Sequence, residues 1–262
     1  MPEHQIRFDD GAAYERMTGV WSRLVGATFL DWLAPSPGLR WADIGCGNGA
    51  FTELVVERCV PVEVRGIDPS EAQLAFARSR PAARLARFER GDAMALPFTN
   101  GGVDAAIMAL VLFFVPDPAK GVAEMARVVA PGGLVAAYLW DFPGGGYVLQ
   151  ALQDEMRATG LKPPIPPNAD VARDAALREL WTGAGLVEVE TRKISVTRIY
   201  ADFDEFWTTS MGGASMASIL DSLNADEAAR LKDRARALYP TDAAGRVTNT
   251  GWVNAAKGRV PR

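Results

Sequence analysis

Histidine is almost missing from this 262-residue chain; His4 is the only one. A side chain that titrates near neutral pH is therefore scarce, and general-base chemistry falls to carboxylates and phenols. His4 lies before the first expected helix and is not expected to act as a base. Cysteine is scarce too. Cys46 and Cys59 cannot make a disulfide framework, and no cluster has zinc-ligand spacing, so no metal is expected. No apolar run is long. The longest, Ala105 to Val115, stops at Pro116, well short of the ~20 residues that cross a bilayer. The opening Met1-Pro-Glu-His-Gln lacks the apolar core of a signal peptide. A reducing cytoplasm is the expected compartment. Basic excess is also lacking. With 28 Lys and Arg against 32 Asp and Glu, the net charge of −4 speaks against nucleic acid and anionic membrane as partners. The densest basic stretch, Arg78, Arg80, Arg84, Arg87 and Arg90, reads as a solvated edge between a helix and a strand. There is no internal repeat and no heptad pattern. A monomer or a homodimer is expected.

What is present is the composition of one globular domain, 48% apolar and 23% charged. Residues 12–34 read as a helix, with Tyr14, Met17, Trp21, Leu24, Phe29 and Trp32 at helical spacing. Pro35-Ser-Pro-Gly38 ends it. Strands are expected at 39–44, 62–67, 84–90, 103–110 and 133–140, with helices at 49–58, 70–79 and 117–129. This alternation predicts an α/β fold, a parallel sheet covered on both faces that binds ligands beyond the carboxyl ends of its strands. The pattern loosens after Asp141. Gly144-Gly-Gly146 and Lys162-Pro-Pro-Ile-Pro-Pro167 read as loops, followed by a helix near 171–182, a strand over Leu186–Tyr200, a helical region near 202–238 and a last strand from Arg246 to Asn254. The organisation expected is a single domain, 1–262, with a helical cap (1–38), a cofactor-binding core (39–141), and lid segments plus the last strands (142–262).

The central motif is Trp41-Ala-Asp-Ile-Gly-Cys-Gly-Asn-Gly49, a strand entering a glycine turn and then a helix. Glycines let the backbone turn tightly and approach a ligand, and the helix start offers unpaired N–H groups to a carboxylate. Asp43 can orient the loop or accept from a ligand ammonium. Alone, the motif also fits the relaxed dinucleotide fingerprint, or a purely structural turn. Three further segments narrow this. In Val64-Arg-Gly-Ile-Asp-Pro-Ser70, Asp68 ends the second strand, where a carboxylate can accept from ribose hydroxyls; the alternative is a helix cap made by Ser70 or by Asp68 itself. In Arg90-Gly-Asp-Ala-Met-Ala-Leu-Pro-Phe98, Asp92 can accept from an adenine amino group beside Ala93 and Met94, or simply hold a surface turn. Val103–Asp117 reads as a buried strand emptying into an aromatic loop at the same sheet edge, with Leu110 and Val111 facing the ligand. Phe113 and Phe114 there are open to a core reading.

This ordered set resembles the class I S-adenosylmethionine-dependent methyltransferases of the ubiquinone/menaquinone-biosynthesis type. The matching elements are Asp43-Ile-Gly-Cys-Gly-Asn-Gly49, Gly66-Ile-Asp-Pro-Ser70, Gly91-Asp-Ala-x-x-Leu-Pro-Phe98, Val115-Pro-Asp117 and Val129-Ala-Pro-Gly-Gly133. Tyr14-Glu-Arg-Met-x-Gly-x-Trp-Ser-Arg23 is similar to the N-terminal helix that closes over the cofactor in bacterial members. The resemblance implies a Rossmann-like sheet of seven strands with the last antiparallel, S-adenosylmethionine as cofactor and S-adenosylhomocysteine as product. It implies cofactor contacts at Gly45, Gly47, Asp68, Asp92, Ala93 and Leu110. The full candidate set adds Tyr14, Trp21, Asp43, Cys46, Gly49, Pro69, Gln73, Met94 and Val111. Relatives often carry His or Asn where Phe113 stands, so any acceptor contact made by that polar group is absent here.

Methyl transfer from a sulfonium is an in-line displacement, in which the protein aligns the nucleophile and excludes water. Asp141 and Tyr138, near the end of the fifth strand, are the candidate bases, with Asp141 equally readable as a turn residue. Phe113, Trp140, Phe206, Trp207 and Met211 are the candidate acceptor-facing residues. Phe203, Phe206, Trp207, Met211 and Met216 could instead form a small helical core. The expected activity is methylation of a small-molecule acceptor. The alternatives are an NAD-dependent oxidoreductase and a silent cofactor-binding module.

Overall fold

The computed structural model describes residues 19–212 and 214–262. Seven strands form one sheet: β1 (Arg40–Ile44), β2 (Glu63–Asp68), β3 (Ala86–Arg90), β4 (Val103–Ala109), β5 (Val129–Trp140), β6 (Val187–Tyr200) and β7 (Val247–Arg259). Their order is β3-β2-β1-β4-β5-β7-β6. β1 to β5 pair in parallel, and β7 runs antiparallel between β5 and β6. This is the Rossmann-like sheet with an antiparallel last strand. Its central strands are near-continuous apolar runs because helices cover both faces; every residue from Leu134 to Trp140 is buried. The winding reverses between β1 and β4, and a doubly wound sheet opens its ligand crevice at such a reversal.

Within the expected N-terminal helix, α1 spans Val20–Leu33; residues 12–18 lie outside the described residues. Trp21, Val25, Phe29 and Leu33 recur every fourth position and are all buried. α2 (Ala50–Cys59), α3 (Glu71–Arg78) and α4 (Pro118–Val128) fall where the sequence places them. Ser70 caps α3 by accepting from Gln73 N, and Asp117 caps α4 by accepting from Lys120 N ahead of a proline in its first turn.

The C-terminal half holds more order than the sequence suggests. α5 (Gln150–Ala158) lies between the two segments read as loops, in a stretch to which the sequence assigns no element, and only Leu152, Gln153 and Met156 on it are buried. α6 (Asp174–Gly183), α7 (Phe203–Met211), α8 (Ala214–Leu220) and α9 (Ala225–Leu238) follow; a capping box between Asn224 and Glu227 starts α9. β7 continues past Asn254 to Arg259. Ala255, Ala256, Lys257 and Gly258 are weak strand formers, but pairing on both sides overrides local preference. Gly258 is also needed there, since a Cβ would lie 2.9 Å from the Trp181 ring.

Candidate active site

Between β1 and α2 the chain turns on Gly45, Gly47 and Gly49, with φ of +71°, +52° and +80°. The N–H groups of Gly45 and Cys46 both donate to the Ile67 carbonyl, at 2.7 and 3.1 Å, tying the turn to β2. The three glycines have different reasons to lack a side chain. A Cβ at Gly45 would stand 2.5 Å from Val111 Cγ1, so Gly45 lets the loop after β4 come close. A Cβ at Gly49 would meet Ala77, Arg80 and Phe88, so on its Cβ side this glycine packs α2 against α3 and β3. At Gly47 the nearest atom is Gln73 Oε1 at 3.9 Å, and the space beside the backbone is open. The Cys46 side chain is buried. Its buried Sγ lies where a Cβ on Gly66 would come within 2.9 Å, and burial, then the Asp43 and Asp68 charges, push its thiol well above the usual range.

Asp43 is buried at the end of β1, where its Oδ2 accepts from Thr52 Oγ1 at 2.5 Å while its Oδ1 has no partner. Desolvation pushes its carboxyl up to about 7, against the Thr52 hydrogen bond and with a smaller push from the Asp68 charge. Asp68 spans the turn: Oδ2 accepts from Gly47 N at 2.9 Å and Oδ1 from Ser70 N at 2.8 Å. Burial raises its pKa, and those two N–H groups oppose the rise. Capping thus belongs to Ser70, while each Asp68 oxygen keeps a second lone pair for a ligand hydroxyl. Pro69 is exposed beside it. Asp92 is exposed, with Oδ1 accepting from Met94 N at 2.8 Å; Ala93 and Met94 behind it are half-buried. The structure thus brings Asp43, Gly47, Asp68 and Gln73 together at one turn.

Leu110, at the end of β4, adopts φ +62°, a left-handed conformation that costs a branched residue energy and clusters at functional edges. Its N–H donates to the Tyr138 carbonyl. Phe113 follows in a short 3₁₀ turn, buried, with its ring edge-on to Phe114 at 4.6 Å and to Phe142 at 5.9 Å. Asn168 holds this loop by donating its N–H to Phe113 O and its Nδ2 to Val115 O, a brace with no signal in the sequence.

The structure does not support either candidate base. Tyr138 is fully buried among Phe29 and Phe51, with its hydroxyl at the Ser22 side chain, in the core beneath α1. Asp141 is a turn residue and a strut: Oδ1 accepts from Gly144 N at 2.9 Å and Oδ2 from Trp252 Nε1 at 3.1 Å. Gly146 is hydrogen-bonded to Asp141 O and Trp252 N, and a Cβ on it would strike the Trp252 indole. The loop so held presents Phe142 stacked on Tyr147 at 4.5 Å. Trp140 sits edge-on to Tyr147 and to Trp21 of α1. Phe113, Trp140, Phe142 and Tyr147 make an aromatic wall at the sheet edge; Phe142, Tyr147 and the Trp252 brace escaped the sequence reading. The other candidate acceptor residues lie elsewhere. Phe206 is enclosed by Tyr200, Phe203 and Tyr239, Trp207 stacks on Phe203, and Met211 is buried, so these residues form a helical core. Tyr14 and His4 lie outside the described residues. A separate cavity of about 370 Å³, lined by Thr159, Leu161, Ser222, Leu223 and Arg230 among others, shares no residue with the turn or the wall.

Comparison with known proteins bears on this geometry. Residues 42–137 match a family model described as a methyltransferase domain. A demethylmenaquinone methyltransferase of Desulfitobacterium hafniense is 37% identical over 106 residues, 38% of this chain and 42% of that protein. Another, from Deinococcus radiodurans, is 37% identical over 125 residues, 47% of this chain and 49% of that protein. The chain thus spans less than half the length of these curated relatives. A structure described as a methyltransferase from an antibiotic biosynthesis pathway of Anabaena variabilis superposes with a TM-score of 0.63 at 15% identity, covering 90% of this chain and 98% of that one. Phosphoethanolamine N-methyltransferase 2 of Haemonchus contortus, in complex with S-adenosyl-L-methionine, gives 0.56 at 16% identity, covering 100% of this chain and 62% of that one. At such identities the two structures share the fold.

Proposed function

We propose that this chain, which carries a class I methyltransferase domain on its Rossmann-like sheet, transfers a methyl group from S-adenosylmethionine to a small organic acceptor. The observation that carries the reading is the buried, unpartnered Asp43 Oδ1 two residues before a glycine turn whose Gly47 has open space beside its backbone and donates its N–H to Asp68. A buried carboxylate oxygen without a donor is costly unless a ligand supplies one, and an ammonium is such a donor. The donor set fits S-adenosylmethionine. Asp43 takes the amino group, the open space beside the Gly47 backbone admits the rest of the amino-acid end, Asp68 takes the ribose and Asp92 the adenine amino group. Leu110 and Val111 close over the sulfur end. When bound, the cofactor supplies a methyl carbon activated by a sulfonium.

The chain's own part is to bind, align and exclude water. The oxygens of Asp141 accept from Gly144 and Trp252, and Tyr138 lies in the core, so neither is assigned as a base. The acceptor brings its own nucleophile, and the aromatic wall of Phe113, Trp140, Phe142 and Tyr147 suits an acceptor with an apolar body. Among the described residues no helix is long and apolar enough to cross a membrane. Calorimetry with S-adenosylhomocysteine and NAD tests the cofactor. Binding of the first and not the second is expected; NAD binding without S-adenosylhomocysteine binding would make the dinucleotide reading the better one.

A further inference from the structure

Arg80 is one of five arginines that the sequence places on a solvated edge, yet only 10% of its side chain is exposed. It leaves the chain just after α3 and reaches back to the glycine turn. Nε donates to the Asn48 carbonyl at 2.6 Å, and Nη1 donates to Glu53 of α2 at 2.8 Å. Its Cδ packs 3.3 Å from where a Cβ on Gly49 would stand, so the missing side chain at Gly49 makes room for this arm. Glu53, itself 13% exposed, shares the same Oε2 with Arg23 of α1 at 3.3 Å, and Arg23 also holds Glu57 at 2.8 Å.

We infer that Arg80 is a positioning residue for the cofactor: it pins the outer side of the glycine turn and, through Glu53, ties that turn to the cap helix α1. The reason is geometric. A peptide plane carries its carbonyl and the next N–H on opposite sides. A guanidinium fixed on the Asn48 carbonyl holds the Asn48–Gly49 peptide from one side while the Gly49 N–H donates to the Cys46 carbonyl at 2.9 Å on the other, so Arg80 completes the clamp on a turn whose Asn48 has glycine on both sides. Arg80 bonds two partners lying in different directions, which its planar fork serves and the point charge of a lysine does not. Glu53 balances the charge in a place that excludes most water.

This inference rests on the proposed cofactor, and it predicts which end of that cofactor feels the change. The turn faces the amino-acid end; the nucleoside end is held by Asp68 and Asp92. Calorimetry with two probes, S-adenosylhomocysteine and 5′-methylthioadenosine, reads the ends apart, because the second lacks the amino acid. Arg80→Ala is expected to weaken S-adenosylhomocysteine about 10-fold or more, the scale of one charged hydrogen bond, while methylthioadenosine changes less than about twofold. Arg80→Lys is expected to recover part of the loss, and it serves if the alanine variant does not fold. Arg23→Ala, which removes the partly exposed pairs with Glu53 and Glu57, is expected to cost about twofold. Equal weakening of both probes would reduce Arg80 to general support of the fold, and no weakening of either would overturn the inference outright. Wild-type protein that binds neither probe would remove the cofactor reading itself, and the inference with it.

Discussion

The glycine turn is shaped mostly by backbone and by residues near in sequence: Gly45 and Cys46 donate their N–H groups to Ile67, and Gly47 donates its own to Asp68. Across the sheet edge, the aromatic wall is made of side chains, and its brace joins Asp141 to Trp252 over a separation of 111 residues. The first construction tolerates little variation, because positive φ and close approach admit few residue types. The second can be rebuilt with other rings while the sheet beneath stays the same. A fold of this kind can therefore keep the turn and change the wall, and the match to the methyltransferase domain, residues 42–137, takes in the turn and Phe113 but none of Trp140, Phe142 and Tyr147.

The sharpest test of this division is the helical core behind the wall. Phe206→Ala is expected to cost ~3–5 kcal/mol of stability by urea unfolding, since it empties a fully buried site, while the folded fraction keeps its affinity for S-adenosylhomocysteine. Loss of cofactor affinity in folded protein would join the two regions that the comparison separates. Asp68→Ala is the converse. Calorimetry should show a loss of about 10- to 150-fold in cofactor affinity, the worth of a charged hydrogen bond of ~1.5–3 kcal/mol. An unchanged Kd would leave Asp68 only its bonds to Gly47 and Ser70.

Protonation sharpens the comparison further. Asp43 titrates near 7 in the folded protein, above its usual value of 3.8. Between those two pH values the folded state keeps a proton that the unfolded chain has lost. This contribution to stability is therefore largest at the acidic end, falls as pH rises toward 7, and levels off above it. Asp68 shifts in the same direction. A ligand ammonium needs Asp43 ionised, so binding S-adenosylhomocysteine near pH 6.5 should release protons, read by calorimetry in buffers of different ionisation enthalpy. Asp43→Asn should abolish that release. The smallest effect belongs to the wall: Trp252→Phe removes one hydrogen bond to Asp141, worth ~1 kcal/mol, and should speed hydrogen exchange at Gly144 while cofactor affinity holds. Exchange at Gly144 as slow as in the wild type would mean that the loop does not need its brace.

These differences also explain what could be read in advance. The turn was legible because Asp43, the glycines, Asp68 and Asp92 sit at strand ends at fixed spacing, and conformations forced on glycine leave a mark in the sequence. What Gly49 and the Cys46 side chain pack against was not legible because it lies on other elements, Arg80 and Phe88 for the one and Gly66 for the other. Phe206 and Trp207 were readable either as acceptor-facing or as a helical core. An aromatic residue on an amphipathic helix has the same pattern whether it meets a ligand or Tyr239. Asp141 was readable as a base or as a turn residue, since its partner Trp252 comes from a strand whose pairing no local pattern reveals. α5 escaped because its three buried residues are too few to stand out between glycine- and proline-rich stretches.

The placement of β7 has a consequence in time. It is the last strand in chain order, yet it lies inside the sheet, so β6 has no strand to pair with until β7 arrives. On a ribosome, β1 to β5 can assemble, with the glycine turn formed, while β6 waits as an unpaired ribbon. Only when residues 247–259 emerge does the sheet close, and Trp252 then reaches Asp141. A nascent chain of this protein gains its ligand-holding turn first and its aromatic wall last, and until that moment β6 is exposed to pairing with a neighbouring chain.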